Sequence, residues 1–443
     1  MNTPIYNFLK NHAKSGALSC HTPGHKGIIH PFDITEIDGA VDIIEQSERN
    51  ASKLFGAART LFSCSGSTLS IFAMLASVMN SSGVTKTKRI TAFRGAHRSL
   101  IDAAILLDFE IDWITPHEFV VSNELLVTEN TVGVFATSID YYGNMVDIDN
   151  FSWACQKYNL PLLVDNAHGA YQVITGGHPI DLGATMSVDS AHKTLPALTG
   201  AAYLHIADKG LHLAQAAEDA MKLFGTTSPS YLILASLDLC NHYIAQKKQQ
   251  PRDGWNEPTP LSDISWLKSE LRKRSYVIDE RMCYNKHSFH LSVRTDPLRI
   301  VIDVNAYGYS GSDYAVELKK HGIIPEMYDS KYVILLFSTI TSHDDIKYIL
   351  RAMSNIPKKS AIYSSIDYEM YSSIIPKQAL SAKVAFFSQK KMIKVTESVG
   401  EICAEIRVTV PPCVPFILPG EVISPQIAEI LLEIGIKEIA VVK

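Results

Sequence analysis

Ser190-Ala191-His192-Lys193-Thr194-Leu195-Pro196-Ala197-Leu198-Thr199-Gly200 is an unusual setting for an ammonium. No residue from Leu195 to Gly200 carries a charge, whereas surface lysines generally keep charged company. Burial disfavours the charged form of a lysine, so a fold that encloses Lys193 would leave an uncharged amine, and such an amine can condense with an aldehyde. Alone, the stretch better suits a part-exposed lysine on a loop. The segments around it must decide.

Just upstream, Leu160-Pro161-Leu162-Leu163-Val164 is a short apolar run of the kind a buried parallel strand shows, and it stops abruptly at Asp165-Asn166-Ala167-His168-Gly169. A carboxylate at the end of a buried strand costs several kcal/mol unless it meets a cation. Met186–Val188 reads as a strand leading to Lys193, and Asp149 to Tyr158 as a helix. Further out, Thr131–Ser138 is an apolar strand followed by Tyr141-Tyr142-Gly143. Arg89–Phe93 is a short strand running through His97 into a helix from Leu100 to Leu107. That histidine could stack on a planar ring, though a lone histidine is more often structural.

Thr60 through Thr68 precedes the apolar helix Leu69–Met79, and its small and hydroxyl residues (Ser65, Gly66, Ser67, Thr68) leave backbone N–H groups available to an anion. The lysine and spacing of a P-loop are missing, and an ordinary Ser/Thr N-cap explains the segment as well. Ser47 to Phe55 reads as a helix stopped by Gly56. Strands alternate with helices from Thr60 to Leu204, which predicts a doubly wound, mostly parallel α/β sheet whose strand ends share one crevice. An anion-type helix start, a histidine, an acid and a lysine would then face one another.

At 443 residues the chain has room for two or three domains, and 46% hydrophobic with 20% charged residues is ordinary for a globular protein. A net charge of -5 without long basic runs argues against nucleic acid. No segment reads as a signal peptide or membrane span. Seven cysteines at 20, 64, 155, 240, 283, 403 and 413 form no Cys-x-x-Cys pair, which fits reduced thiols in the cytosol and no zinc site. His21 and His25 lie on a turn and are too few for a metal. Gln246 to Pro260 reads as a polar linker. The expected division is a large domain over 1–250, a smaller α/β domain over 251–357 with strands at Arg299–Val304 and Tyr332–Phe337, and a C-terminal α+β domain over 358–443. Glu326 is a candidate substrate carboxylate or, with equal weight, a solvated loop acid.

The chain resembles the bacterial ornithine/lysine/arginine decarboxylases of the aspartate-aminotransferase fold, which are fold type I pyridoxal phosphate enzymes. The resemblance rests on His21-Thr22-Pro23-Gly24-His25-Lys26-Gly27, Phe55-Gly56-Ala57, Ser65-Gly66-Ser67-Thr68, His97, Tyr141-Tyr142-Gly143, Asp165 through Gly169 and Ser190 through Thr199. It continues in Thr226-Thr227-Ser228-Pro229-Ser230-Tyr231, in Pro411-Pro412-Cys413-Val414-Pro415 and in Pro419-Gly420-Glu421.

The resemblance implies that Lys193 is the Schiff-base lysine, that Asp165 pairs with the pyridinium nitrogen, and that His97 stacks on the ring with His168 at its other edge. Ser65, Gly66, Ser67, Thr68 and Ser190 would hold the phosphate. Thr227 or Ser228 would reach the phosphate of a neighbouring subunit, implying a homodimer or larger assembly. His192 would help protonate the product. The implied activity is decarboxylation of arginine, lysine or ornithine to the amine, feeding polyamine synthesis. A transaminase or other lyase on the same fold, and a non-catalytic relative, are the competing readings. The chain departs from the pattern at Gly200, where glutamine is usual, at Cys413 in place of glycine, and at Arg98 in place of lysine. The expected form is the short one, without the N-terminal wing of larger members.

Overall fold

The computed structural model describes residues 1–35, 40–114, 125–249, 259–280, 294–362, 374–408 and 415–443. Helices α1 (Pro4–Lys14) and α2 (Ala40–Phe55) come first, then β1 (Arg59–Ser63), α3 (Gly66–Ser81), β2 (Arg89–Phe93), α4 (Arg98–Leu107), β3 (Glu110–Ile114) and β4 (Thr131–Thr137). They are followed by α5 (Ile148–Lys157), β5 (Leu162–Asp165), α6 (Gln172–Thr175), β6 (Met186–Asp189), α7 (Ala191–Thr194) and β7 (Ala202–Ile206). The seven strands make one sheet in the order β1-β7-β6-β5-β4-β2-β3. Strands β2 to β6 run parallel, and β7 is antiparallel to both its neighbours, β1 and β6.

The apolar runs are covered on both faces, as continuous hydrophobicity in a parallel strand demands. Successive strand residues point to opposite faces. Val134 and Ala136 of β4, with Leu162 and Val164 of β5, accordingly meet Phe151 and Ala154 of α5. Phe135 and Leu163 turn the other way, toward Ile71, Met74 and Val78 of α3. Helix α3 is apolar nearly all round because it lies between the sheet and α8 (Ala214–Phe224). It starts at Gly66, three residues earlier than its apolar run suggests, because small residues let the chain turn directly from β1.

Helix α9 (Tyr231–Gln249) continues through the first part of the predicted linker. Lys247 and Lys248 in its last turn suit the negative end of the helix, and Lys248 Nζ donates to Leu54 O at 2.7 Å. The next unit comprises α10 (Pro260–Lys273), β8 (Val277–Ile278), β9 (Arg299–Asp303), α11 (Gly311–Lys320), β10 (Met327–Tyr328), β11 (Tyr332–Leu336) and α12 (His343–Ser354). Its four-stranded sheet, ordered β10-β11-β9-β8, is antiparallel throughout. The last segment holds α13 (Ala382–Phe387), β12 (Lys390–Lys394), β13 (Arg407–Val408), β14 (Pro415–Ile417), α14 (Pro425–Glu433) and β15 (Glu438–Val442), with β12 paired to β15 and β13 to β14. Among the described residues no helix is long and apolar enough to cross a membrane.

Sheet register decides where chemistry can collect. Thr137 of β4 pairs with Asp165 of β5, and Asp165 with Val188 of β6, so the carboxyl ends of three parallel strands lie level. This is the edge at which open α/β sheets bind ligands. An open cavity of about 340 Å³ lies at the opposite, amino ends, beside Val132, Pro161 and Thr185, away from the acid, imidazole and amine of the carboxyl edge.

Candidate active site

Asp165 ends β5 almost without exposure, and its Oδ1 accepts the N–H of Ala167 at 3.1 Å. Burial raises its affinity for a proton, opposed by His97, by that backbone N–H and by Lys193. The next residue, Asn166, cross-links neighbouring strands. Its Oδ1 takes the hydroxyl of Ser138, after β4, and its Nδ2 donates to Asp189 Oδ1, at the end of β6, at 2.8 Å. A side chain at residue 169 would put its Cβ 2.1 Å from Asn166 Oδ1, so the Asp165–Gly169 turn requires glycine there.

Lys193 stands on the single turn of α7 and is only half-buried, so enclosure alone does not govern its amine. Its Nζ lies 2.9 Å from His168 Nε2 and 5.6 Å from the centre of the Tyr141 ring. Tyr141 also packs edge-on against the His168 ring, at 5.0 Å between centroids. The other ring nitrogen of His168, Nδ1, meets the guanidinium of Arg299. Burial, and then the Arg299 charge, hold His168 well below the usual histidine range.

His97 caps α4, accepting Ser99 N–H on Nδ1 at 3.2 Å, and burial lowers its proton affinity. It lies close enough to Asp165, Lys193 and His168 for their charges to be felt. Ser190 precedes α7 at the N-cap position without a side-chain capping bond, and its Oγ lies 3.4 Å from His192 Nδ1, which also lies 3.3 Å from Ala201 O. His192 is held low chiefly by burial, while the exposed Glu326 pulls the other way. Gly66 N–H, at the start of α3, donates to Gly200 O at 2.8 Å. The side chain of Ser65, at the N-cap of α3, makes no capping hydrogen bond. Thr227 and Ser228 are exposed between α8 and α9, and the same loop reaches Cys64 through a thiol–carbonyl contact of 3.6 Å at Ser230 O. The fold thus gathers Asp165, His168, Lys193, His97, His192 and Ser190, leaving Thr227 and Ser228 at the surface.

A sequence model described as "Orn/Lys/Arg decarboxylase, major domain" matches residues 121–257. Beyond that stretch, an uncharacterised protein of Bacillus subtilis, YaaO, is 27% identical over 96% of this chain and 93% of its own. An arginine decarboxylase of Halalkalibacterium halodurans is 26% identical over 95% of this chain and 91% of its own. The chain is thus similar to Orn/Lys/Arg decarboxylases, in the major-domain model over residues 121–257 and in full-length relatives over nearly its whole length. It is an enzyme of the amino acid decarboxylase class. Lysine decarboxylase A from Pseudomonas aeruginosa superposes with a TM-score of 0.78 at 17% identity, covering 99% of this chain and 80% of that one. The fold is the aspartate-aminotransferase-like α/β fold of type I pyridoxal phosphate enzymes.

This chain departs from the expected glutamine at Gly200 for a steric reason. Gly200 has φ +93, and a Cβ there would stand 3.0 Å from Cys64 O. Cys413 and the Pro411–Val414 part of the tail motif lie outside the described residues. Arg98 is exposed and pairs with Asp102 at 3.2 Å. In the His21–Gly27 turn, His25 Nε2 contacts Asp33 Oδ2 at 3.1 Å.

Several residues escaped the sequence reading. Arg299 and Asp296 sit behind His168, with 3.3 Å between Arg299 Nε and Asp296 Oδ2. Arg94 and Glu421 form a buried ion pair. Asp189 lies between His178, at 3.0 Å, and His205, at 3.6 Å. These three could hold a metal ion by their spacing. Ile180 N–H donates to His178 Nδ1 and leaves the Nε2 proton for Asp189, while the buried His205 Nε2 has no hydrogen-bond partner among the described residues. The signal was available: a charged residue at either terminus of an apolar strand singles out Asp189, which ends β6, and Arg299, which opens β9, as it did Asp165.

Proposed function

We propose that this enzyme removes the α-carboxylate of a basic amino acid (arginine, lysine or ornithine) as carbon dioxide and releases the amine, with pyridoxal phosphate carried on Lys193. The observation that carries this reading is Lys193 Nζ at 2.9 Å from His168 Nε2, within electrostatic reach of the buried Asp165. The residues fit that cofactor. Asp165 is a buried acid with few donors, and a protonated ring nitrogen is the cation such a carboxylate needs. When bound, the cofactor supplies the electron sink for the pair left behind as carbon dioxide departs.

The rest falls to the chain's own groups. Asp165 would hold a proton on the ring nitrogen, and His97 and His168 would flank the ring. The amino end of the 16-residue helix α3, with Ser65, Gly66, Ser67, Thr68 and Ser190, would hold the phosphate at the positive end of the helix. His192 delivers the proton that replaces the carboxylate. Glu326, whose charge His192 feels, is the candidate partner for the basic head of the substrate.

On the same reading the enzyme works in the cytosol as a homodimer or larger assembly, supplies polyamine synthesis, and divides near residues 250 and 357. Two observations favour this. Leu18, Ile28 and Ile29 are 93%, 89% and 78% exposed, apolar surface suited to a second copy. The described cysteines are all thiols. On that assembly, Thr227 and Ser228 would meet the neighbouring subunit's phosphate.

Incubation of the cofactor-loaded protein with each amino acid separately tests the reading, with carbon dioxide and amine measured together. Agmatine, cadaverine or putrescine in step with carbon dioxide is expected. A keto acid without carbon dioxide would replace the proposal with transamination.

A further inference from the structure

Arg299 opens strand β9, almost fully buried, with its guanidinium directed at the site. Three anchors hold it. Its Nη1 donates to Asp140 O, its Nε lies 3.3 Å from Asp296 Oδ2, and its Nη2 donates to His168 Nδ1. Asp296 is fixed in turn by Tyr171 OH at 2.9 Å and Leu298 N–H at 2.9 Å. Gly143 lies against the arginine so closely that a Cβ there would stand 3.2 Å from Arg299 Cδ.

An arginine side chain is always a donor and never an acceptor, and a neutral imidazole carries one N–H and one lone pair. If Arg299 donates to Nδ1, the ring proton must sit on Nε2. That Nε2–H points at Lys193 Nζ, 2.9 Å away. An ammonium there would set one donor against another. We propose that Arg299 is a positioning residue: it fixes His168 as the Nε2–H tautomer, and His168 thereby donates to a lone pair on Lys193 Nζ.

The surrounding charges agree. His168 faces Arg299, Lys193, His97 and His192, and none of these favours a second proton on it. Lys193 faces His168 and the Tyr141 ring, with Asp165, His97 and His192 in electrostatic range. Asp165 is the group that would favour an ammonium. An unperturbed lysine is uncharged in only about one molecule in 2,500 at pH 7, so holding the lone pair is a large advantage in aldehyde capture. That benefit rests on the function proposed above. The tautomer itself rests on geometry alone.

Two measurements test the inference. In the first, the cofactor-free chain is mixed with pyridoxal 5′-phosphate. Lys193 Nζ adds to the aldehyde carbon with loss of water. Borohydride then delivers hydride to that carbon, leaving a secondary amine that peptide mapping assigns. The wild-type rate of capture should change less than about threefold between pH 6.5 and 8.5. For Arg299→Met the rate should climb about tenfold per pH unit, as for an ordinary lysine. Arg299→Lys keeps a cation beside Asp296 and a donor toward Nδ1, and should restore much of the flat profile. A steep wild-type profile, or a flat one in Arg299→Met, would overturn the proposal. The second needs no altered arginine: ¹⁵N-histidine spectra of the wild-type chain, with His168→Gln for assignment, should show a lone-pair Nδ1 and a protonated Nε2. The reverse pattern would overturn it. If Lys193 is captured at no pH, the decarboxylase reading fails, while the nitrogen spectra still decide the tautomer.

Discussion

The ion pair between Arg94 and Glu421 offers a severe test of how the C-terminal segment is held to the sheet. Arg94 follows β2 directly and Glu421 lies 327 positions later in the chain. Nη1 of Arg94 donates to Oε1 of Glu421 and Nη2 to Oε2, each at 2.7 Å, with the side chains 5% and 0% exposed. Glu421 also accepts Leu418 N–H at 2.8 Å, and the Trp113 ring lies 5.4 Å from the guanidinium. With charge centres about 4 Å apart and an effective dielectric near 20, the attraction is about 4 kcal/mol. Removing one partner also strands the other charge out of water, and such breaks cost about 3–5 kcal/mol. Glu421→Leu and Arg94→Met should therefore each lower stability to urea by about that amount. The double variant removes both charges and should recover most of the loss, because apolar replacement of a whole buried pair is often neutral. The three variants and wild type make a double-mutant cycle. Single losses below about 1 kcal/mol, or a double variant as unstable as the sum of its parents, would refute the view of this pair as a buried clamp.

Three further outcomes are expected. Asp165→Ala should cut turnover by on the order of 10²–10³-fold, the scale seen when a placed electrostatic group is removed, and near-normal steady-state rates would reject its role. Gly200→Gln forces a side chain into φ +93 against Cys64 O and should cost about 1–3 kcal/mol, measured by denaturant midpoint; an unchanged midpoint would show that the loop yields. Glu48 accepts Phe62 N–H at 2.9 Å and lies 3.3 Å from Arg59, yet burial raises its carboxyl from 4.5 to about 7. The folded state therefore keeps a proton that the unfolded chain releases above pH 4.5, and this contribution to stability fades as pH rises through about 7. Glu48→Gln should gain on wild type by about 2–3 kcal/mol between pH 4.5 and 8, and a difference independent of pH would refute the shift.

How much of this was legible before folding depends on the range over which each feature is encoded. The parallel core was readable because strand and helix periods are local: Leu162–Val164 could hardly be anything but a buried strand, and it is paired on both sides. The helix ends were less so. Gly66 begins α3 because of its turn from β1, and α9 runs on to Gln249 because Lys248 finds the carbonyl of Leu54, a contact no local pattern shows. The residues proposed for the cofactor lie on segments whose abrupt polarity gave them away. Their partners do not. Nothing near Arg299 says that it meets His168, 131 positions earlier, and nothing near Glu421 says that it meets Arg94.

The same rule nevertheless covers both groups. Asp165 and Asp189 end apolar strands, Arg299 opens one, and Arg94 directly follows one. A buried charge is tolerated only with its complement, so each announces an unseen partner of opposite sign or matching hydrogen-bond capacity. Read this way, Asp189 calls for the donors supplied by Asn166 and His178, and Arg299 for the acceptors on Asp296, Asp140 and His168. The sequence can thus say that a charge must be matched, but only the fold says by what. In this enzyme one such match, through Arg299, determines on which nitrogen the imidazole beside the lysine carries its proton.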